Sequence, residues 1–188
     1  MNISAPFSGT PQLSDRLDKE IRVYRFFEEN NILVYGVDHA PADTMEICEG
    51  IEGSLGAEIC KNLFLCNAQA TDFYLLLMPG KKAFKTKFLS KQINSSRLSF
   101  GSAENMEKYL DITPGSVSIT GLMNDKEGAV RLLIDKDLLS LPEIGIHPSI
   151  NTSTLKISTD DLINKLIPAL GRDYTVVNLP DPSKEIAE

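Results

Sequence analysis

The 188-residue sequence is poor in the residues that carry common metal and redox chemistries. It contains two histidines, three cysteines and no tryptophan. The cysteines lack the paired spacing of a zinc site, and Cys60 and Cys66 fall in an apolar run where we interpret them as small core residues. The chain has no H-E-x-x-H motif, no G-x-S-x-G motif and no glycine-rich phosphate loop after a strand. We therefore expect no metal, no cofactor and no doubly wound nucleotide-binding fold.

Long apolar segments are also missing. No run approaches the roughly 18 residues of a membrane span, and the opening MNISAPFSGT lacks the basic and apolar regions of a secretory signal. With 42% apolar and 24% charged residues, the composition is that of an ordinary globular protein. We expect one cytoplasmic domain over residues 1–188, with a core at about 14–180 and no membrane contact.

Negative charge is absent from one long segment of a chain whose net charge is −7. That overall charge argues against indiscriminate binding of DNA or RNA. Between Phe73 and Ala103, however, no acidic residue occurs. A basic run is usually a solvated surface, but on an acidic background it is also a candidate contact for RNA phosphates. The basic residues of this segment are Lys81, Lys82, Lys85, Lys87, Lys91 and Arg97.

The apolar periodicity predicts an α+β fold. The runs AEICKNLFLCN and DFYLLLMP, joined by the polar AQAT, indicate a hairpin, and TPGSVSITGLMND with AVRLLIDKDLL indicates a second one. Helical spacing predicts helices after Ser14, after Asp43 or Thr44, after Ser102 and within TDDLINKLIPAL. Together these elements predict a curved, mostly antiparallel, barrel-like sheet surrounded by helices.

Lys61 is the first candidate for chemistry, because it interrupts an otherwise apolar strand. Strand alternation places Lys61 on one face and Asn62 on the other. A lysine in this position must reach solvent, find a counter-charge or serve a cleft. The pattern alone does not choose among these three.

His147 is the second candidate, within the stretch EIGIHPSINTST. A lone histidine is more often structural. Here Gly145 and the proline after His147 constrain an irregular loop, the kind of segment in which site residues concentrate, and Asn151 and Thr152 add polar groups. The other histidine, His39, could equally lie on the surface. We expect the Lys61 and His147 stretches to face each other across one small hydrolytic pocket.

Several motifs together resemble the prolyl-tRNA editing proteins. These are free-standing relatives of the YbaK domain and of the editing domain inserted in bacterial prolyl-tRNA synthetases. The resemblance spans roughly Leu17 to Leu179 and implies a YbaK-like fold that hydrolyses the ester bond of a mischarged aminoacyl-tRNA. The motifs, in order, are KNLFL (61–65), RLSFGS (97–102), TPGSVS (113–118), ND (124–125), GAV (128–130) and GIHPSINTST (145–154).

Within that family the motifs most resemble the alanyl-tRNA(Pro) deacylases, which implies a metal-independent, substrate-assisted hydrolase acting in trans. The alternatives are a cysteinyl-tRNA(Pro) or seryl-tRNA deacylase of the same fold, and a non-catalytic module that binds charged tRNA or an amino acid. The implied partner is the acceptor end of tRNA(Pro). A prolyl-tRNA synthetase or an elongation factor is a possible second partner, and no DNA is expected.

The resemblance also implies roles for individual residues. Lys61, the family's essential lysine, would hold the acyl ester or a neighbouring phosphate, with Asn62 hydrogen-bonding nearby. His147 would complete the catalytic set in a loop that walls the amino-acid pocket. The implied substrate-binding residues are Ser99, Gly101, Ser102, Gly145, Asn151 and Thr152. The implied tRNA contacts are Lys81, Lys82, Lys85 and Lys87.

Overall fold

The computed structural model describes residues 3–42 and 45–181, and its fold is α+β. Ten strands form two five-stranded sheets, with helices packed around them. The strands are β1 (Phe7–Ser8), β2 (Tyr35–Asp38), β3 (Glu58–Ile59), β4 (Lys61–Cys66), β5 (Phe73–Met78), β6 (Ser99–Phe100), β7 (Val130–Asp135), β8 (Glu143–Ile146), β9 (Ser153–Ser158) and β10 (Tyr174–Val177). The α-helices are α1 (Asp18–Glu29), α2 (Met45–Leu55), α3 (Thr86–Gln92), α4 (Ala103–Leu110), α5 (Thr159–Asp161) and α6 (Ile167–Ala169).

The two sheets are mixed, and the chain passes directly from one to the other. The first has the order β1-β2-β9-β8-β3 and the second the order β10-β7-β5-β4-β6. Only Cys60 separates β3 from β4, so one extended segment belongs to both sheets. Neither sheet closes on itself within the described residues. The predicted barrel-like closure is therefore not observed.

One predicted hairpin is confirmed and the other is wrong. Strands β4 and β5 pair antiparallel, from Lys61 opposite Met78 to Cys66 opposite Phe73. The segment before β7 instead forms a 3-10 helix, Ile119–Met123, and β7 pairs parallel with both β5 and β10. Because β7 is buried between two neighbouring strands, it is apolar along its whole length. Such a run does not distinguish parallel from antiparallel pairing.

The helix ends follow the sequence in part. Ser102 caps α4, since its hydroxyl accepts a hydrogen bond from Asn105 N at 3.1 Å. Helix α1 begins at Asp18 rather than beside Ser14, and its N-cap, Leu17, provides no side-chain hydrogen bond. The predicted caps Asp43 and Thr44 lie outside the described residues.

The last helical segment changes its geometry before Pro168. Helix α5 runs into a π-helix, Leu162–Leu166, and α6 follows it and ends at Ala169. Proline lacks the N–H that an α-helical hydrogen bond needs, which agrees with the predicted interruption. In the described ranges, no helix has both the length and the apolar character that crossing a membrane requires.

Candidate active site

The two motif stretches meet at the end of the first sheet. Strands β3 and β8 are parallel, with Ile59 opposite Gly145, and Cys60 N donates to Gly145 O at 3.0 Å. Extending this register by two residues would bring Lys61 level with His147. A Cβ atom on Gly145 would lie 3.2 Å from Ile59 Cα, so the glycine allows the close approach of the two strands.

The Lys61 side chain is partly buried and has a neutral partner. Its Nζ donates a hydrogen bond to the main-chain oxygen of Lys82 at 2.8 Å. An ammonium group carries three donors, so this bond leaves two N–H groups for a ligand. A carbonyl fixes the position of the ammonium without cancelling its charge.

Asn62 ties β4 to the 3-10 helix. Its Oδ1 accepts from Ile119 N at 3.1 Å, and its Nδ2 lies 3.2 Å from both the carbonyl oxygen and the sulfur of Cys60. Burial raises the pKa of the Cys60 thiol to about 12, so this cysteine is not a thiolate near neutral pH. Both ends of the Asn62 amide are thus used within the protein.

His147 is fixed on both its ring and its main chain. The ring Nδ1 lies 2.9 Å from Ser153 O. A carbonyl can only accept, so Nδ1 carries the proton and Nε2 keeps a lone pair. Thr120 Oγ1 donates to His147 O at 3.1 Å and lies 2.9 Å from Ser149 Oγ. Burial, reinforced by the nearby His39 ring, lowers the pKa of His147, which favours the neutral ring.

His39 is a buried neighbour of His147, with only 7% of its surface exposed. Its Nδ1 donates to Ala40 O at 2.7 Å, so its Nε2 accepts from the Thr154 hydroxyl at 2.8 Å. The same hydroxyl oxygen lies 3.4 Å from His147 Nδ1, and the ring centroids are 6.4 Å apart. Burial lowers the pKa of His39 as well.

Sequence reasoning missed this pairing of the two histidines. Strand β2 ends at Asp38, directly before His39, and β2 pairs with β9, which carries Thr154. The only signal in the sequence is that His39 follows a short apolar strand. That signal does not identify β9 as the neighbour.

A cavity of about 410 Å³ opens beside His39. From the GIHPSINTST loop, Ile150 and Thr152 line it, whereas Ile146 is completely buried in the core. The remaining lining residues are Gln12, Asp15, Arg16, Glu20 and Asp38. Thus Ile150, rather than Ile146, borders open space next to the site.

Asn151 and Thr152 hold the loop against the preceding chain. The Asn151 carbonyl accepts from Ala42 N at 3.3 Å, and the Thr152 carbonyl accepts from His39 N at 2.9 Å. A Cβ atom on Gly115 would lie 3.6 Å from Asn151 Nδ2, so the TPGSVS motif passes beside this loop.

The strip Ser99–Ser102 lies along the other end of β4. Ser99 is opposite Cys66, and Gly101 N donates to Phe64 O at 2.9 Å. At about 3.3 Å per residue, these partners are roughly 10 to 17 Å along the strand from Lys61. A Cβ atom on Gly101 would lie 2.4 Å from the Phe64 ring, so close packing requires this glycine. No hydrogen bond or ion pair among the described residues joins the strip to Lys61 or His147.

The motif formed by Asp125 and GAV is structural. The Asp125 carboxylate accepts hydrogen bonds from Ala129 N at 3.0 Å and Val130 N at 2.8 Å. It also pairs with Arg172 at 3.1 Å. Asp125 therefore fixes the start of β7.

The four lysines predicted to contact tRNA differ in exposure. Lys81, Lys85 and Lys87 are exposed, and Lys81 lies 3.3 Å from Glu52. Lys82 is only 5% exposed and pairs with Asp135 and Asp137. A buried and doubly paired ammonium cannot reach a phosphate, so Lys82 does not fit the expected role.

Possible metal ligands are dispersed in the described part of the chain. Within residues 3–42 and 45–181, no three or more histidine, cysteine, aspartate and glutamate side chains are grouped as metal ligands would be. Both nitrogens of His39 and one nitrogen of His147 are already engaged within the protein.

Comparisons with known proteins identify the family of the chain. Residues 39–165 match the family model described as the aminoacyl-tRNA editing domain. The chain is 32% identical over 163 residues to the prolyl-tRNA editing protein ProX of Acetoanaerobium sticklandii, covering 87% of this chain and 99% of ProX.

Two solved structures share the fold. One is described as a trans-editing enzyme for prolyl tRNA synthetase (TM-score 0.65, 17% identity, 88% of this chain and 100% of that one). The other is the hypothetical protein APE2540 (TM-score 0.64, 16% identity, 85% and 97%). From the family model and the relative ProX, the chain belongs to the prolyl-tRNA editing proteins of the aminoacyl-tRNA editing domain family.

Proposed function

We propose that this protein is a trans-acting deacylase that hydrolyses mischarged alanyl-tRNA(Pro). The observation that supports the proposal most strongly is the pairing of Ile59 with Gly145. Continued by two residues, this register would bring Lys61 level with His147 where β3 passes into β4. Family membership supports the deacylase class, and the likeness of the motifs supports alanine as the amino acid.

The reaction divides the work between substrate and protein. Water attacks the ester carbonyl carbon, and the bond to the terminal ribose oxygen breaks. The ribose oxygen released from the ester takes up the proton that the water gives up and becomes a hydroxyl, and alanine leaves as the free amino acid. The vicinal ribose hydroxyl positions the water, so no protein nucleophile is needed. The two remaining N–H groups of Lys61 stabilise the developing oxyanion, an effect worth about 10²–10³ in rate for a single donor elsewhere. The His147 Nε2 lone pair orients the water or the ribose hydroxyl.

A synthetase site shaped for proline excludes the smaller alanine poorly. The missing methylene groups are worth only about 1–3 kcal/mol of discrimination. An editing pocket that admits alanine and rejects proline by size removes the error. Ile150 borders the cavity beside His39 and is well placed to set that size.

Recognition of the tRNA rests on the acceptor end. The exposed lysines Lys85 and Lys87 offer phosphate contacts, and Lys81 offers a weaker one because Glu52 pairs with it. A cytoplasmic protein of this kind would meet its substrate through prolyl-tRNA synthetase or an elongation factor.

The reaction is proposed to be independent of metal. Chelation with EDTA should leave the deacylation rate unchanged, because the site uses an ammonium group and hydroxyls rather than a Lewis acid. The measurement is the rate before and after EDTA, with elemental analysis of the purified protein. One equivalent of zinc that leaves together with activity would contradict the metal-free reaction.

The decisive experiment compares deacylation of alanyl-, cysteinyl-, seryl- and prolyl-tRNA(Pro) at equal enzyme concentration. Alanyl-tRNA should be cleaved fastest and prolyl-tRNA should survive. Faster cleavage of cysteinyl- or seryl-tRNA would reassign the substrate within the same chemistry. Binding of charged tRNA without any cleavage would make the protein a binding module.

A further inference from the structure

Lys82 is a buried cation in the middle of the basic segment. Its Nζ lies 3.0 Å from Asp135 Oδ1 and 2.8 Å from Asp137 Oδ2, and Asp135 is completely buried. Burial by itself would lower the pKa of Lys82, but the hydrogen bonds and charges of the two aspartates outweigh it and the pKa is raised. Lys82 is thus a charged group held in one place.

The main chain of Lys82 is equally constrained. Lys82 N donates to Pro79 O at 3.2 Å, which closes a turn. A Cβ atom on Gly80 would lie 2.1 Å from Ile59 O, so this turn packs directly against the strand that leads to Lys61. The Lys82 carbonyl is the acceptor for Lys61 Nζ at 2.8 Å.

We propose that Lys82 is a positioning residue for Lys61. Its side chain, anchored by Asp135 and Asp137, fixes the carbonyl that holds the Lys61 ammonium. This inference rests on the proposed function for the catalytic importance of Lys61, but not for the contact itself.

The arrangement separates anchoring from neutralisation. A carboxylate bound directly to Lys61 would fix the ammonium but would also cancel the charge that the oxyanion needs. A carbonyl leaves that charge intact. The two aspartates bind the Lys82 side chain instead, and they hold Lys61 only indirectly, through the Lys82 carbonyl. The buried ion pairs are thus on the neighbouring lysine rather than on the lysine that meets substrate.

Three roles for Lys82 lead to different results. If Lys82 contacts a phosphate, its replacement should reduce the salt dependence of tRNA binding. An ion pair with only a structural role would change thermal stability and leave Lys61 as it was. A positioning role changes kcat and the state of the Lys61 ammonium together, with little change in KM.

The test compares Lys82→Met with Lys126→Met, a change at an exposed lysine outside the basic segment. Asp137→Asn is the second variant, because Asp137 is 58% exposed on its side chain and its change burdens folding least. Each protein is assayed for kcat, KM and the salt slope of tRNA binding. The Lys61 amine is followed by its rate of acylation, mapped by mass spectrometry.

We expect Lys82→Met to lower kcat about 10- to 100-fold, the range that a small misplacement of a catalytic group can cost. Asp137→Asn should lower kcat less, and Lys82→Arg should restore part of the loss. Acylation of Lys61 should become several-fold faster in Lys82→Met, because the amine no longer has its fixed acceptor. Lys126→Met should change neither quantity.

An unchanged rate of Lys61 acylation in both Lys82→Met and Asp137→Asn would overturn the positioning role, whatever happens to kcat. A reduced salt slope with unchanged kcat in Lys82→Met would also overturn it. If Lys82→Met does not fold, the acylation rate in Asp137→Asn decides. Failure of the proposed function looks different, because the wild-type protein would then cleave no aminoacyl-tRNA while the acylation rates still report on the anchor.

Discussion

The lysine side and the histidine side of the site are held in electrically different ways. On the lysine side, the Lys61 ammonium meets a carbonyl, and a full ion-pair cluster of Lys82 with two aspartates stands behind it. On the histidine side, carbonyls and hydroxyls hold both rings, and burial favours their neutral forms. In the proposed reaction, the first side supplies a positive charge for the oxyanion, and the second supplies the His147 lone pair as a proton acceptor.

The His147 ring and the Lys82 side chain differ in how far along the chain their partners lie. His147 is held by Ser153, six residues later, at the start of β9. Lys82 and Asp135 are 53 residues apart and belong to different elements. An interaction between residues close in sequence can be recognised from a short motif, whereas an interaction between distant residues cannot.

Replacing Lys61 should have the largest effect on activity. We expect Lys61→Ala to lower the deacylation rate by about 10²–10³ or more, since it removes the charged donor to the oxyanion. The fold should persist, because the side chain is only partly buried. Rates are measured on alanyl-tRNA(Pro), thermal unfolding checks the fold, and Lys126→Ala, at an exposed lysine outside the basic segment, is the control. Near wild-type activity in folded Lys61→Ala would remove the lysine from the mechanism.

Sequence reasoning predicted the family and the α+β class but not all of the topology. The β4–β5 hairpin was predictable because two apolar runs flank a short polar turn. The position of β7 was not, because parallel pairing joins segments far apart in sequence and leaves no turn signal between them.

Individual residues show the same limit. The sequence does not distinguish Lys82 from Lys85 within the basic segment. Only the fold brings Asp135 next to Lys82. His39 reads as a loop residue before Ala40 and Pro41, and only the pairing of β2 with β9 places Thr154 against its ring. The loop around His147 was recognisable because its glycine, proline and polar residues all lie within a few positions.

Substitutions of two isoleucines should distinguish an effect on the size of the pocket on the histidine side from an effect on core packing. Ile146→Ala should lower the free energy of unfolding by about 2–5 kcal/mol with unchanged specificity, because Ile146 is fully buried in the core. Ile150→Ala should instead enlarge the cavity and raise cleavage of prolyl-tRNA(Pro) by roughly tenfold or more. Denaturant unfolding and rates on alanyl- and prolyl-tRNA give both quantities. Prolyl-tRNA cleavage that rises equally in the two variants would rule out Ile150 as the size filter.

Lowering the pH should affect the histidine side first. The pKa values of His39 and His147 lie below the ordinary 6.5. The unfolded chain therefore binds more protons, and the stability contributed by the neutral rings is complete above 6.5 and is lost as pH falls through the folded pKa values. Activity should fall over the same range. The chain has only two histidines, so NMR titration of their Cε1–H signals, with His39→Asn for assignment, measures both. A midpoint above 6.5 for either ring would contradict the neutral arrangement.

The smallest effect on activity should come from replacing the exposed lysines of the basic segment. Replacing Lys85 and Lys87 together with glutamine should weaken tRNA binding only several-fold at moderate salt. It should also reduce the slope of log K against log salt by about 0.7–0.9 for each phosphate that a lysine no longer neutralises.

The matched control is the double replacement of Lys126 and Lys136, which are exposed outside this segment. Binding is measured by fluorescence titration at several salt concentrations, with kcat at saturating tRNA as a second readout. Because these lysines steer the tRNA and do not touch the ester, kcat should stay near the wild-type value. Equal slopes in the two double variants would show that Lys85 and Lys87 are a solvated surface, and a fall in kcat would place them closer to the chemistry than their exposure indicates.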